Sequence, residues 1–247
     1  MSAGAGSLPR PWDAFDAYLF DIDGTLIHCA DAVHYFAFCD ALSAVAGRPV
    51  NLDGVVAHGN TDIGILRDAF ARAEVPEPQW RPQIPHICER MCNFVETHAH
   101  ELCIQALPGV ESILRYLRDK GAILGLATGN LEAIGKRKLE AARLLHLFHF
   151  GGWSDALETR ADVFRRAVDR AHALTGPAAS ILVIGDTPAD VCAARANQLP
   201  VLAVASGTYS FDQLSAEAPG LCLHSLEELT VCAGTRPAQH CSTISSN

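Results

Sequence analysis

Short apolar runs, each ended by a turn or a carboxylate and separated by helical patterns, restrict this chain more than any other feature. The first is Ala17-Tyr18-Leu19-Phe20, which leads directly into Asp21 and is bounded by Gly24. A run of this length between turn-forming residues reads as a buried strand. Similar runs recur at 122–127, 148–150, 181–184 and 201–204. Helical patterns fall between them at 108–120 (closed by Gly121), 131–145, 161–173 and 188–196. Strand followed by helix, repeated, builds a parallel sheet covered on both faces. The expected fold class is therefore α/β, a Rossmann-like parallel sheet core with helices on both faces.

One region departs from that rhythm. Residues 29–103 carry helical patterns at 30–46, 62–73 and 85–98 and no convincing strand. This predicts an inserted α-helical cap. The expected division is a catalytic core of residues 13–28 and 104–232, a cap of 29–103, and disordered tails at 1–12 and 233–247, the second polar and rich in Ser and Thr.

The formal charge of -9 disfavours nucleic acid or an anionic membrane as a partner. It also means that a phosphate site would have to be locally positive, which a divalent cation would achieve. Nine cysteines without a Cys-x-x-Cys pair read as reduced thiols. No apolar stretch approaches the roughly 20 residues of a membrane span, and the first residues lack the apolar run of a signal peptide. The expected location is cytoplasmic, with a homodimer left open.

The segment Asp21-Ile22-Asp23-Gly24-Thr25-Leu26 carries the chemistry. Asp21 falls at the carboxyl end of the first strand, where open parallel sheets bind ligands. A carboxylate there can attack phosphorus and form an aspartyl phosphate, and a second one two residues on can serve as acid and then base. The bland alternative is a strand end with a turn-forming Asp-Gly. In Gly185-Asp186-Thr187-Pro188-Ala189-Asp190 a buried run again reaches a carboxylate, and a helix follows. Asp186 and Asp190 are oxygen ligands of the kind that suits Mg²⁺, set against helix capping by Asp186 or Thr187. In Ala127-Thr128-Gly129-Asn130 a strand gives way to a helix whose N-terminal N–H groups can bind an anion; Thr128 or Asn130 as an ordinary cap is the alternative.

These motifs, in this order, resemble the haloacid dehalogenase-like hydrolase superfamily, in its helical-cap, phosphoglycolate phosphatase-like branch. The resemblance implies Asp21 as nucleophile and metal ligand, and Asp23 as acid/base that binds metal through its backbone carbonyl. It implies Thr128, the N–H of Gly129 and Asn130 as phosphoryl contacts, and Asp186 as the third protein ligand to Mg²⁺. Asp190 would orient a cationic side chain or a metal-bound water. Relatives also place a cation between the second and last motifs; Arg160 is the best match, with Lys138 as competitor.

An acid at position 23 favours phosphoryl transfer over dehalogenation, which needs no proton delivered to a leaving oxygen. The absence of any lysine in 29–103 argues against Schiff-base chemistry from the cap. Within that segment, His58-Gly59-Asn60-Thr61-Asp62 resembles a cap loop of the phosphoglycolate phosphatases. Thr61 is a candidate substrate contact, and Asp62 is expected to cap the following helix, with substrate contact as the equal alternative. Arg67 is read as a surface charge, with contact to an anionic substrate as the alternative, and His28 lies near the hinge, with a position facing the site as the alternative. Cys88 and Cys92, with His86 nearby, are read as thiols on an apolar face rather than a metal site. The expected function is a Mg²⁺-dependent phosphomonoesterase acting on a small phosphorylated metabolite, phosphoglycolate-like or a sugar phosphate. A phosphotransferase or mutase of the same fold is the alternative, followed by a non-catalytic binding protein.

Overall fold

The computed structural model describes residues 7–234. Its centre is a six-stranded sheet in the order β5-β4-β1-β6-β7-β8. The strands are β1 (Ala17–Phe20), β4 (Ile123–Ala127), β5 (Phe150–Gly152), β6 (Ile181–Gly185), β7 (Val201–Val204) and β8 (Leu221–Leu223), and every pairing is parallel. The side chains show why this sheet needs cover on both sides. Tyr18 and Phe20 of β1, with Leu182 and Ile184 of β6, enter one apolar cluster, whereas Ala17, Leu19, Ile181 and Val183 enter another. Alternate residues point to opposite faces, so both faces are apolar and both are buried.

Helices α5 (Val110–Asp119), α6 (Glu132–Ala141), α7 (Arg160–Thr175), α8 (Pro188–Ala196), α9 (Phe211–Ala216) and α10 (Glu227–Gly234) belong to this core. The register places the site. Phe20 pairs with Leu126 on one side and Ile184 on the other, so Asp21, Thr128 and Asp186 leave the sheet at one edge.

Between β1 and β4 the chain forms α1 (Val33–Ala46), α2 (Asp62–Arg72), α3 (Glu77–Trp80) and α4 (Ile84–Thr97). These helices enclose a separate cluster that includes Phe38, Leu66, Phe70, Trp80 and Met91, and Leu131 and Ile134 of the core side join it. The segment enters and leaves through a two-stranded antiparallel ribbon of β2 (Ile27–Cys29) and β3 (Ile104–Ala106).

Several expectations shift. The strand expected at 148–150 lies at Phe150–Gly152. The helix expected over 131–145 ends at Ala141, because Arg143 turns into the left-handed region at φ 59. The ribbon and β8 were not expected. Nor are residues 7–12 a disordered tail: Leu8 and Trp12 pack against the core cluster, and the Trp12 carbonyl accepts from the Tyr18 hydroxyl at 3.0 Å. The remainder of both expected tails, 1–6 and 235–247, lies outside the described residues.

The described cysteines are free. Cys88 and Cys92 pack against the cap cluster, and burial pushes their thiols up to about 12 and about 11, while His86 is exposed. No helix among the described residues is long and apolar enough to cross a membrane.

Candidate active site

Asp21 emerges where β1 ends, and its N–H still continues the ladder by donating to the Ile184 carbonyl at 3.0 Å. Asp21 is 5% exposed, and its carboxylate meets Nη2 of Arg160 at 2.8 Å. Arg160 opens α7, whose N-cap is Thr159, and is held from behind by Asp190: Nε donates to Asp190 Oδ1 at 2.7 Å. Asp190 is fully committed. Its second oxygen accepts from the Thr187 N–H and hydroxyl in the capping box that starts α8. Arg160 Nη2 lies within ion-pair distance of both carboxylates, yet it makes no aligned hydrogen bond.

Asp186, at the end of β6, accepts from the Thr25 hydroxyl at 2.9 Å through Oδ1. Its other oxygen is pressed between Gly24 and Gly207, and a Cβ at either position would collide with it. Gly24 also sits at φ +85, so this turn requires glycine twice over. Asp21, Asp186 and Asp190 each bring an oxygen within 4.8 Å of the others. Burial pushes Asp21 up to about 6, with Arg160 opposing and Asp190 and Asp23 adding to the rise. Burial, and then the charges of Asp21 and Asp190, hold Asp186 well above the usual carboxylate range. Carboxylates this close fit a divalent cation, which would relieve their repulsion. Asp21 and Asp186 have oxygens to give it. Asp190, expected among the metal ligands, has both oxygens spent on Arg160 and Thr187 and sits behind the cation it fixes.

A second cation serves Asp23. Lys138 of α6 places Nζ 2.8 Å from both Asp23 oxygens and 2.9 Å from Asn130 Oδ1. Asn130 in turn donates to Asp23 Oδ2 and to the Thr128 hydroxyl, each at 2.8 Å. Burial acts to raise Asp23, but Lys138 and Asn130 overcome it, and the carboxyl ends below its usual range. The two cations therefore have separate partners: Arg160 faces Asp21 and Lys138 faces Asp23. Asn130, expected to touch phosphate, lines the cavity and also ties Thr128 to Asp23. Residue patterns gave little sign of this network, because Lys138 is 115 positions from Asp23.

The cap closes onto this edge. The Asp62 N–H donates to the Gly129 carbonyl at 2.7 Å, and its carboxylate accepts from the Leu131 N–H at 2.8 Å. A side chain on Gly129 would strike the Asn60 carbonyl. The N-cap of α2 is Thr61, whose hydroxyl accepts from the Gly64 N–H and donates to the Glu158 carbonyl, both at 2.9 Å. Thr61, expected to touch substrate, is spent on structure away from the cavity, whereas Asp62 lines the cavity and ties the cap to the residue that precedes α6.

The cavity between cap and core measures about 340 Å³. Asp21, Asp23, Thr128, Gly129, Asn130 and Arg160 line it, with Asp186 and Lys138. His28 is exposed and takes no part in it. Arg67 lies outside it, 2.8 Å from Asp68.

The model of the family described as haloacid dehalogenase-like hydrolase matches residues 18–204. The chain belongs to that family. Within it, the chain resembles the phosphoglycolate phosphatases. The protein of that name from Cereibacter sphaeroides (strain ATCC 17029 / ATH 2.4.9) is 29% identical over 180 residues, covering 72% of this chain and 79% of its own length. The one from Pseudomonas putida is 28% identical over 234 residues, covering 91% and 79%. Among solved structures, CbbY from Rhodobacter sphaeroides in complex with phosphate superposes with a TM-score of 0.66 at 19% identity, covering 87% of this chain and 96% of that one. A predicted phosphatase from Clostridium acetobutylicum gives 0.63 at 20% identity, covering 89% and 98%. At these identities the structures speak for the fold.

Proposed function

We propose that this phosphatase hydrolyses the monoester of a small phosphorylated metabolite in two steps, with Asp21 as nucleophile. The observation that carries the reading is the pairing of each aspartate of the first motif with its own buried cation, at the strand end where the cavity opens. Asp21 attacks phosphorus and the ester oxygen departs with a proton from Asp23, leaving an aspartyl phosphate. Asp23 then takes a proton from the water that attacks the phosphoryl group, and Asp21 is restored. Arg160 offers Nη2 to the phosphoryl oxygens as negative charge develops. Thr128 and the backbone of Gly129 complete that cradle.

Asp21, Asp186 and the backbone carbonyl of Asp23 would hold Mg²⁺, which supplies charge neutralisation and orientation for the phosphoryl group. Lys138 and Asn130 hold Asp23 in place, and the ionised form they favour is the one the second step needs. For the first step Asp23 must bear a proton, and the negative ester entering the cavity competes for Lys138. The names of the relatives make phosphoglycolate the reference substrate.

The reading is tested by phosphate release from aryl and alkyl phosphates in Mg²⁺ buffer. Asp21→Asn is expected to lose at least about 10⁴-fold in kcat, and a chelator to abolish release in the parent. Persistence of either activity contradicts the mechanism.

A further inference from the structure

The reading as a phosphatase leaves the organic half of the substrate unassigned, and the upper part of the cavity bears on it. The cap contributes His34, Tyr35, Phe38, Leu52, Ala57 and Ile65 to the lining. His34 and Phe38 stack with ring centroids 4.9 Å apart and planes at 25°, forming an aromatic part of the wall, and Tyr35, 40% exposed, lines the cavity with them. Charge is distributed quite differently. The cap segment 29–103 contains no lysine, and none of its arginines lines the cavity. Arg48 and Arg72 bond the carbonyls of Ala73 and Asp53, Arg90 pairs with Asp40, Arg67 with Asp68, and Arg81 with Glu77 and Glu158.

The two cations that do line the cavity, Lys138 and Arg160, lie at its floor and are already engaged by Asp23, Asp21 and Asp190. The histidines of the lining have partners of their own. His34 Nε2 faces the buried Asp62 carboxylate at 3.3 Å, and His58 Nδ1 lies 3.3 Å from the Thr208 hydroxyl. A second carboxylate or phosphate on the substrate would therefore meet, among the described residues, no lysine or arginine of the cap, only His34, His58 and Asn60 that are already partnered, and the like charge of Asp62. An anion moved from water to such a place without a partner is strongly disfavoured.

Resting on the phosphatase reading, we infer that the substrate is a phosphate monoester whose organic part is uncharged and presents an apolar, ring-like face to the His34–Phe38 wall, rather than a phosphorylated acid or a bisphosphate. A cavity of about 340 Å³ is at the small end of ligand sites and accommodates a phosphate with one such ring.

The test compares benzyl phosphate with phosphoglycolate, both alkyl esters, by phosphate release in Mg²⁺ buffer. Wild type, Tyr35→Arg and His58→Gln are the enzymes. Wild type is expected to favour benzyl phosphate in kcat/KM by roughly tenfold or more, the scale of burying an aromatic ring. Tyr35→Arg, which puts a cation on the exposed rim of the wall, is expected to narrow that ratio by lowering the KM for phosphoglycolate. A smaller preference in wild type, or one for phosphoglycolate, overturns the inference and leaves the phosphatase intact. If wild type favours phosphoglycolate and His58→Gln removes that preference, the acid sits on His58 and the inference is equally overturned. Release from neither ester overturns the phosphatase reading itself, and the inference with it.

Discussion

The floor of the cavity, supplied by the strand ends of the core, sets Asp21, Asp23 and Asp186 against Arg160 and Lys138, whereas the roof, supplied by the cap, presents Tyr35, Phe38, Leu52 and Ile65. Adjacent parallel strands place Asp21, Thr128 and Asp186 by backbone register, because Phe20 pairs with both Leu126 and Ile184, and α6 and α7 bring Lys138 and Arg160 to them. The roof is placed by helices that pack on their own cluster and reach the core through a short ribbon and a few interface bonds. On the proposed reading, the bond-making groups belong to the core and the selecting groups to the cap. On this account substitutions in the floor lower kcat and substitutions in the roof change KM.

Lys138→Met should break the floor's side of that contrast most visibly, after loss of Asp21 itself. It removes the only described cation within hydrogen-bonding distance of Asp23, and misplacing an acid by about 1 Å costs on the order of 10²-fold. The expected loss lies in kcat, is larger for alkyl than for aryl phosphates, and is read from rates across leaving groups. Equal loss for every leaving group would mean that Lys138 acts on structure alone.

Asp62→Ala sharpens the other side, because Asp62 belongs to the roof but bonds to the floor. Leaving the buried Leu131 N–H without its acceptor costs about 1–3 kcal/mol. That should raise KM roughly tenfold with a smaller change in kcat, measured by steady-state kinetics. A loss confined to kcat would place Asp62 in the chemistry instead.

The smallest effect expected is far from both regions. Gln198 holds φ 58 in the turn before β7, a conformation that strains any residue with a Cβ. Gln198→Gly should stabilise the protein by on the order of 1 kcal/mol, seen as a Tm increase of roughly 2–4 °C. Neither kcat nor KM should move.

The floor was largely legible as sequence because each of its strands is an apolar run that ends in its functional residue. Asp21, Thr128 and Asp186 could be read one strand at a time, and Arg160 stood just ahead of a helix. Lys138 was legible only as a competitor to Arg160. Its partner is set by how α6 lies on the core, and no local pattern encodes that. The tie made by Asp62 was hidden for a similar reason: a carboxylate at a helix start normally serves its own helix, but Thr61 already caps α2 and Asp62 bonds the Leu131 N–H across the interface. The ribbon escaped notice because β2 and β3 are three residues each, too short for alternation to register. The strand β5 was displaced in the reading because Gly151 and Gly152 carry no apolar signal.

The most direct test is to trap the covalent step. The enzyme is mixed with excess substrate and Mg²⁺, quenched within the first turnovers, and treated with borohydride, which reduces an acyl phosphate to the alcohol. Peptide mass spectrometry then reads position 21. The account predicts homoserine in place of Asp21, dependent on substrate and on Mg²⁺. Unmodified Asp21 during active turnover, or homoserine at Asp23 or Asp186 instead, would contradict it.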